Sequence, residues 1–199
     1  DPTIGGFVND PLLGGDGADS IEGGLDADQL FGGAGNDLIF GGSSSDTLDG
    51  DSGNDVMSGG SSDDRLNGDS GDDQMHGDSG NDVMNGGTGN DVLYGGDGND
   101  TLSGNDGDDQ LFGEKGNDIL LGGNGLDTIY GGAGNDWIDG GAGDDTLFGD
   151  DGGESPYGGA GGDGPRGEPG VAARRGGRGR GGPTVSVSLG RGRREGRDS

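Results

Sequence analysis

The sequence predicts an all-β protein, a solenoid of short strands stacked on one another. Three observations lead there. A nine-residue period runs without insertion or deletion from Gly14 to Phe148, an Asp stands at the sixth position of every period, and one aliphatic or Met side chain stands at the eighth. Collagen, the other Gly-rich architecture, needs Gly every third residue and does not fit a period of nine.

Composition narrows the classes first. The chain has 199 residues, of which 57 are Gly and only 24% are hydrophobic. That is too little apolar matter for an ordinary globular core, so disorder is the reading that any fold must beat. The net charge of -28 also opposes a compact state. Residues 1–150 hold 33 acidic side chains against Arg65 and Lys115, whereas residues 151–199 hold 9 Arg against 6 acidic residues. A body this acidic argues against nucleic acid and anionic membrane surfaces as partners and points to cations. Cys is absent, so something other than disulfides must staple the fold. No apolar stretch approaches the ~20 residues of a membrane-spanning helix. The chain begins Asp1-Pro2 without a visible leader and reads as a fragment or processed product.

The period is G-G-x-G-x-D-x-U-x, repeated fifteen times over residues 14–148. Position 1 is always Gly. Position 6 is always Asp: Asp19, Asp28, Asp37, Asp46, Asp55, Asp64, Asp73, Asp82, Asp91, Asp100, Asp109, Asp118, Asp127, Asp136 and Asp145. Position 8 is always Ile, Leu or Met, from Ile21 to Leu147. Three invariant columns in one register are a very strong signal. The glycines permit φ > 0 and so a sharp six-residue turn. Where position 2 is not Gly it is usually Asp or Asn (Asp51, Asp69, Asp78, Asn105), with Glu114 the awkward exception. Positions 7 to 9 read as a short strand, with position 8 inward and its neighbours outward.

One such strand cannot bury its own face, but stacked neighbours can. Even so, ordering nine residues costs more conformational entropy than one buried Leu or Met returns. The Asp columns add repulsion. A hard cation bound by carboxylates and backbone carbonyls supplies the missing stabilisation by coupling binding to folding. Oxygen ligands without His or Cys favour Ca²⁺ over zinc or copper.

Blocks such as Gly-Gly-Ala-Gly-Asn-Asp-Leu-Ile-Phe at 32–40 closely resemble the RTX (repeats-in-toxin), haemolysin-type calcium-binding family. The resemblance implies a right-handed parallel β-roll in which two nonapeptides make one turn, so loops on one edge recur every 18 residues. It also implies that each Ca²⁺ lies between adjacent loops of one edge, held by two position-6 Asp carboxylates and by loop carbonyls. Carried onto this chain, Asp19, Asp37, Asp55, Asp73, Asp91, Asp109, Asp127 and Asp145 stack on one edge. The remaining seven stack on the other. The gaps between loops then number seven and six, for about 13 ions. Their charge makes the acidic composition intelligible. The resemblance further implies a secreted, extracellular or cell-surface setting, with export by type I secretion.

The ends depart from the pattern. Residues 1–13 read as a degenerate N-terminal cap repeat, with Asp10 placed for a terminal half-site. Residues 149–157 put Glu154 and Pro156 where Asp and the core residue belong, so the roll is expected to end there. Residues 158–199 are rich in Gly and Arg and are predicted to be disordered. Two readings of that tail stand: an RGG-like segment, and a frameshifted remnant of further repeats. It shows no convincing type I secretion signal.

Within the array, position 4 is Gly except at Asp26, Ser44 and Ser62, which fall on one edge. This predicts weaker calcium sites between Asp28, Asp46 and Asp64. Tyr94, Phe112, Tyr130 and Phe148 recur every 18 residues at position 9 and are expected to line one sheet, facing outward. Cross-strand pairing is the plain reading, and docking of a missing domain the functional one. His76, the only His, reads as a solvated strand residue. Without Cys and with one His, no catalytic triad or zinc site can be assembled, and the chain reads as a non-enzyme. Thr88 opens the lone Thr-Gly-Asn-Asp, so the regular Thr ladder of an ice-binding roll is missing. Three functions follow: a calcium-folded structural module, a repeat fragment of a larger secreted enzyme or toxin, and an adhesin or surface-layer spacer.

Overall fold

A computed structural model of the chain describes residues 2–4, 11–152, 155–157 and 164–165, with side chains described for 11–152. Every regular element among the described residues is a β-strand, and no helix there is long and apolar enough to cross a membrane. Successive strands alternate between two parallel sheets of ten and nine strands. Each strand pairs with those two before and two after it. Met84 in Val83–Thr88, for example, lies opposite Leu66 in Arg65–Ser70 and Leu102 in Thr101–Asp106. The offset is 18 residues throughout, so one coil is two repeats and the protein is a parallel β-roll.

Period-two alternation explains the core. In Gln74–Ser79 the side chain of Met75 and the position of Gly77 face inward, while Gln74 and His76 face out. The position-8 column from both sheets forms one continuous cluster from Leu12 to Leu147, most of it without solvent exposure. Leu12, in the degenerate first repeat, takes a core place opposite Leu30.

Three features differ from the sequence expectation. The strands are six residues long rather than three, as in Gln29–Ala34, because the ladder continues through positions 1 to 3 of the next repeat. In most repeats only positions 4 to 6 lie outside it. The glycines also divide by role. Position 2 and, Asp26 apart, position 4 take positive φ, and at position 2 Asp51, Asp69, Asp78, Asn105 and Glu114 adopt it too, at 64° to 75°. No position-1 glycine does; that column is needed for space. Finally, the backbone ladder runs past Gly149: Pro156 lies opposite Ile138, and Pro165 opposite Leu147. The N-terminal Pro2–Ile4 likewise pairs in register, with Thr3 opposite Ile21. Asp10, and nearly all of 158–199, lie outside the described residues.

The position-9 aromatics stack in a file on the outer face, their ring centroids 4.4–5.0 Å apart and nearly parallel. His76, half-buried on the outer face, extends this file. Its ring stacks on Tyr94 at 4.7 Å.

Candidate metal centre

Positions 4 to 6 of each repeat form the loops that join one sheet to the other, and every position-6 Asp is carried at the end of such a loop. All fifteen are buried; Asp19 is 9% exposed and the others 1–3%. Their order on the two edges is the one the 18-residue recurrence predicts. The backbone N–H of each Asp donates to Oδ1 of the Asp one coil further on. Thirteen such bonds, from Asp19 to Asp37 through Asp127 to Asp145, measure 2.7–3.0 Å.

From Asp37 onward this relay engages Oδ1 of each carboxylate. In the eleven inner residues from Asp37 to Asp127, Oδ2 is buried and accepts no hydrogen bond. A buried, unsatisfied anionic oxygen is costly, and a whole column of them needs an explanation. The position-1 glycines show that the space around these atoms is kept clear. A Cβ on any of them would come within 3.0 Å of the Oδ2 of its own repeat's Asp.

Burial raises the ten position-6 carboxyls from Asp46 to Asp127. Asp64, Asp73, Asp109 and Asp118 are pushed up to about 7, and Asp46, Asp55, Asp82 and Asp127 to about 6. The backbone N–H from the preceding coil partly offsets the shift, and neighbouring carboxylates add to it. Such a column is poised to exchange its protons for a cation. The donors are carboxylate oxygens beside backbone carbonyls, a set that suits Ca²⁺. The residues present therefore fit the metal implied by the repeat.

Family comparison agrees with that chemistry. The RTX calcium-binding nonapeptide repeat (4 copies) matches at residues 4–39, 22–57, 40–75, 49–84, 58–93, 85–120, 94–129 and 121–153. The chain belongs to the RTX calcium-binding repeat family. Its matches span the described roll and the degenerate first repeat. A search of curated proteins found no match. RTX repeats bind calcium, and this chain is an RTX calcium-binding module.

Two features of this RTX roll escaped the sequence reading. Position 5 carries a second relay of opposite sense: the Oδ1 of Asn81 accepts from the N–H of Asn99, and that of Asn99 from Asn117. The frequent Asn and Asp at position 5 were the available signal. On the outer face, Asp49, Asp51 and Asp69 bring carboxylate oxygens within 4.8 Å of one another. Burial raises Asp49, and the charges of Asp69 and Asp51 raise it further. Their positions in the repeat, 9, 2 and 2, foretell this only once the coil register is known.

Proposed function

We propose that the fifteen position-6 Asp residues are the calcium ligands, one ion in each gap between successive loops of an edge, about 13 in all. The observation that carries this reading is the column of buried Oδ2 atoms without hydrogen-bond donors between Asp37 and Asp127. A metal-free chain of charge -28 opposes its own compaction. Calcium neutralises the column and so couples binding to folding. The chain is then unfolded where calcium is scarce and folds after export into an extracellular setting. It acts there as a non-catalytic structural module of a secreted protein, with residues 14–148 as the calcium-bearing unit.

The test is a calcium titration of the full chain followed by far-UV circular dichroism and Trp137 fluorescence, with Mg²⁺ as control and calorimetry for stoichiometry. A cooperative gain of β-structure with Ca²⁺ alone, at about 13 ions per chain, is the expected result. Spectra of a random coil unchanged by millimolar Ca²⁺ overturn the reading.

A further inference from the structure

The two edges are not built alike. Four kinds of bond join a loop to the next one on the same edge: the position-6 relay, a bond from the position-7 N–H to the position-6 carbonyl one coil back, which every gap has, the position-5 relay, and a bond from the position-4 N–H to the position-3 carbonyl one coil on. On the edge that begins at Asp19, the position-4 bond is present in every gap, from Gly17 to Ala34 through Gly125 to Ala142. On the opposite edge it begins only at Ser62, which donates to Ser79. The gaps Asp28–Asp46 and Asp46–Asp64 lack it.

The same two gaps lack the position-5 relay, because Ala27 has no acceptor and Ser45 makes no such bond. From Asp63 onward the relay is continuous on this edge, with Asn81 donating to Asp63 at 2.7 Å. Among the described residues, these two gaps alone have neither bond. Their backbone is also unusual. Ser44 and Ser62 hold position 4 at φ 79° and 88°, where L side chains are disfavoured, and Asp26 alone among the position-4 residues does not adopt positive φ at all. The strand Ser20–Gly24 ends one residue early as a result. What remains is the position-6 relay, the position-7 bonds from Thr47 to the Asp28 carbonyl and from Arg65 to the Asp46 carbonyl, both 3.0 Å, and a bond from Ser44 Oγ to the Leu25 carbonyl at 2.9 Å.

We infer that the loops 24–28, 42–46 and 60–64 form a low-threshold gate in the roll. As calcium falls, the gaps Asp28–Asp46 and Asp46–Asp64 open first, while the opposite edge of the same coils stays closed. A loop held by two such bonds depends on the bound cation more than a loop held by three or four. The roll therefore releases its cations in two steps, the first confined to the N-terminal half of one edge. This inference rests on the calcium reading of the Asp columns.

Amide hydrogen exchange of the full chain at stepped free Ca²⁺ tests it. Segments 24–28 and 42–46 are expected to gain protection at a free Ca²⁺ at least ~3-fold higher than segments 33–37 and 51–55 on the opposite edge. A second chain, carrying Asp26→Gly, Ala27→Asn, Ser44→Gly and Ser45→Asn, is expected to bring the two midpoints together. Coincident midpoints in the natural chain overturn the gate and leave the calcium reading intact, as does a split that the fourfold variant leaves unchanged. Absence of calcium-dependent protection anywhere overturns both.

Discussion

The backbone N–H of Asp91 donates to Oδ1 of Asp109 at 2.8 Å, joining residues 18 apart in sequence and one coil apart in space. One carboxylate thus does two jobs. Its Oδ1 fixes the spacing of the loops, and its Oδ2 is left over inside the gap.

That division predicts different outcomes for two substitutions at Asp109. Asp109→Asn keeps an oxygen that accepts the Asp91 N–H but removes the charge facing two gaps. Calorimetry is expected to show the loss of one to two Ca²⁺ from the total, with the fold retained in excess calcium. Asp109→Ala also strands a buried N–H, which costs a further ~1–3 kcal/mol. Its melting temperature in saturating calcium is expected to fall below that of Asp109→Asn. Equal stability of the two variants would show that the relay contributes nothing.

Gly104 predicts a steric effect of a different kind. Its φ is not in the left-handed region, so Ala there carries no backbone penalty. Yet an added Cβ would press on the Asp109 carboxylate and lie 2.7 Å from the Gly122 carbonyl. Overpacking of this sort costs ~1–3 kcal/mol, and here it also crowds the Oδ2 that faces the gap. Gly104→Ala is expected to raise the calcium needed for folding, measured by circular dichroism. Ser103→Ala, on the outward face next door, serves as the control and is expected to change it little.

The Asp and core columns were legible in the sequence because each repeats at one position of a nine-residue unit. Met75 could be assigned an inward place from the period, and Asp73 an edge place from the family resemblance. The reason for Gly104 was not legible, since it depends on where the Asp109 carboxylate turns after the loop closes. The same holds for the Asn81–Asn99–Asn117 relay, which exists only between coils, and for His76, whose ring finds Tyr94 through an 18-residue register. Contacts within a repeat follow from its pattern. Contacts between coils need the coil length and the loop path as well.

The aromatic file predicts a graded effect along its length. Phe112 stacks on two rings, Tyr94 and Tyr130, whereas His76 stacks on Tyr94 at the end of the file. Each stacked pair contributes ~0.5–1.5 kcal/mol beyond area burial. Phe112→Ala is therefore expected to destabilise the calcium-loaded roll about twice as much as His76→Ala, read from urea denaturation at saturating calcium. Equal losses would mean that the rings contribute individually rather than as a stack.

The raised carboxyls predict a pH dependence whose sign differs with and without metal. In the metal-free fold Asp73 and Asp109 titrate near 7, against 3.8 for the free side chain. Between those values the folded chain holds more protons than the unfolded one, so the metal-free fold loses stability as pH rises from about 4 to 7. Calcium needs the carboxylates deprotonated, so its binding expels those protons and strengthens over the same range. The calcium midpoint for folding is expected to be at least roughly tenfold higher at pH 5.5 than at pH 7.5, with little change above that. Calorimetry in buffers of different ionisation enthalpy is expected to show net proton release on binding at pH 6. A midpoint independent of pH, with no proton release, would mean that the buried Asp column is not where the cation binds.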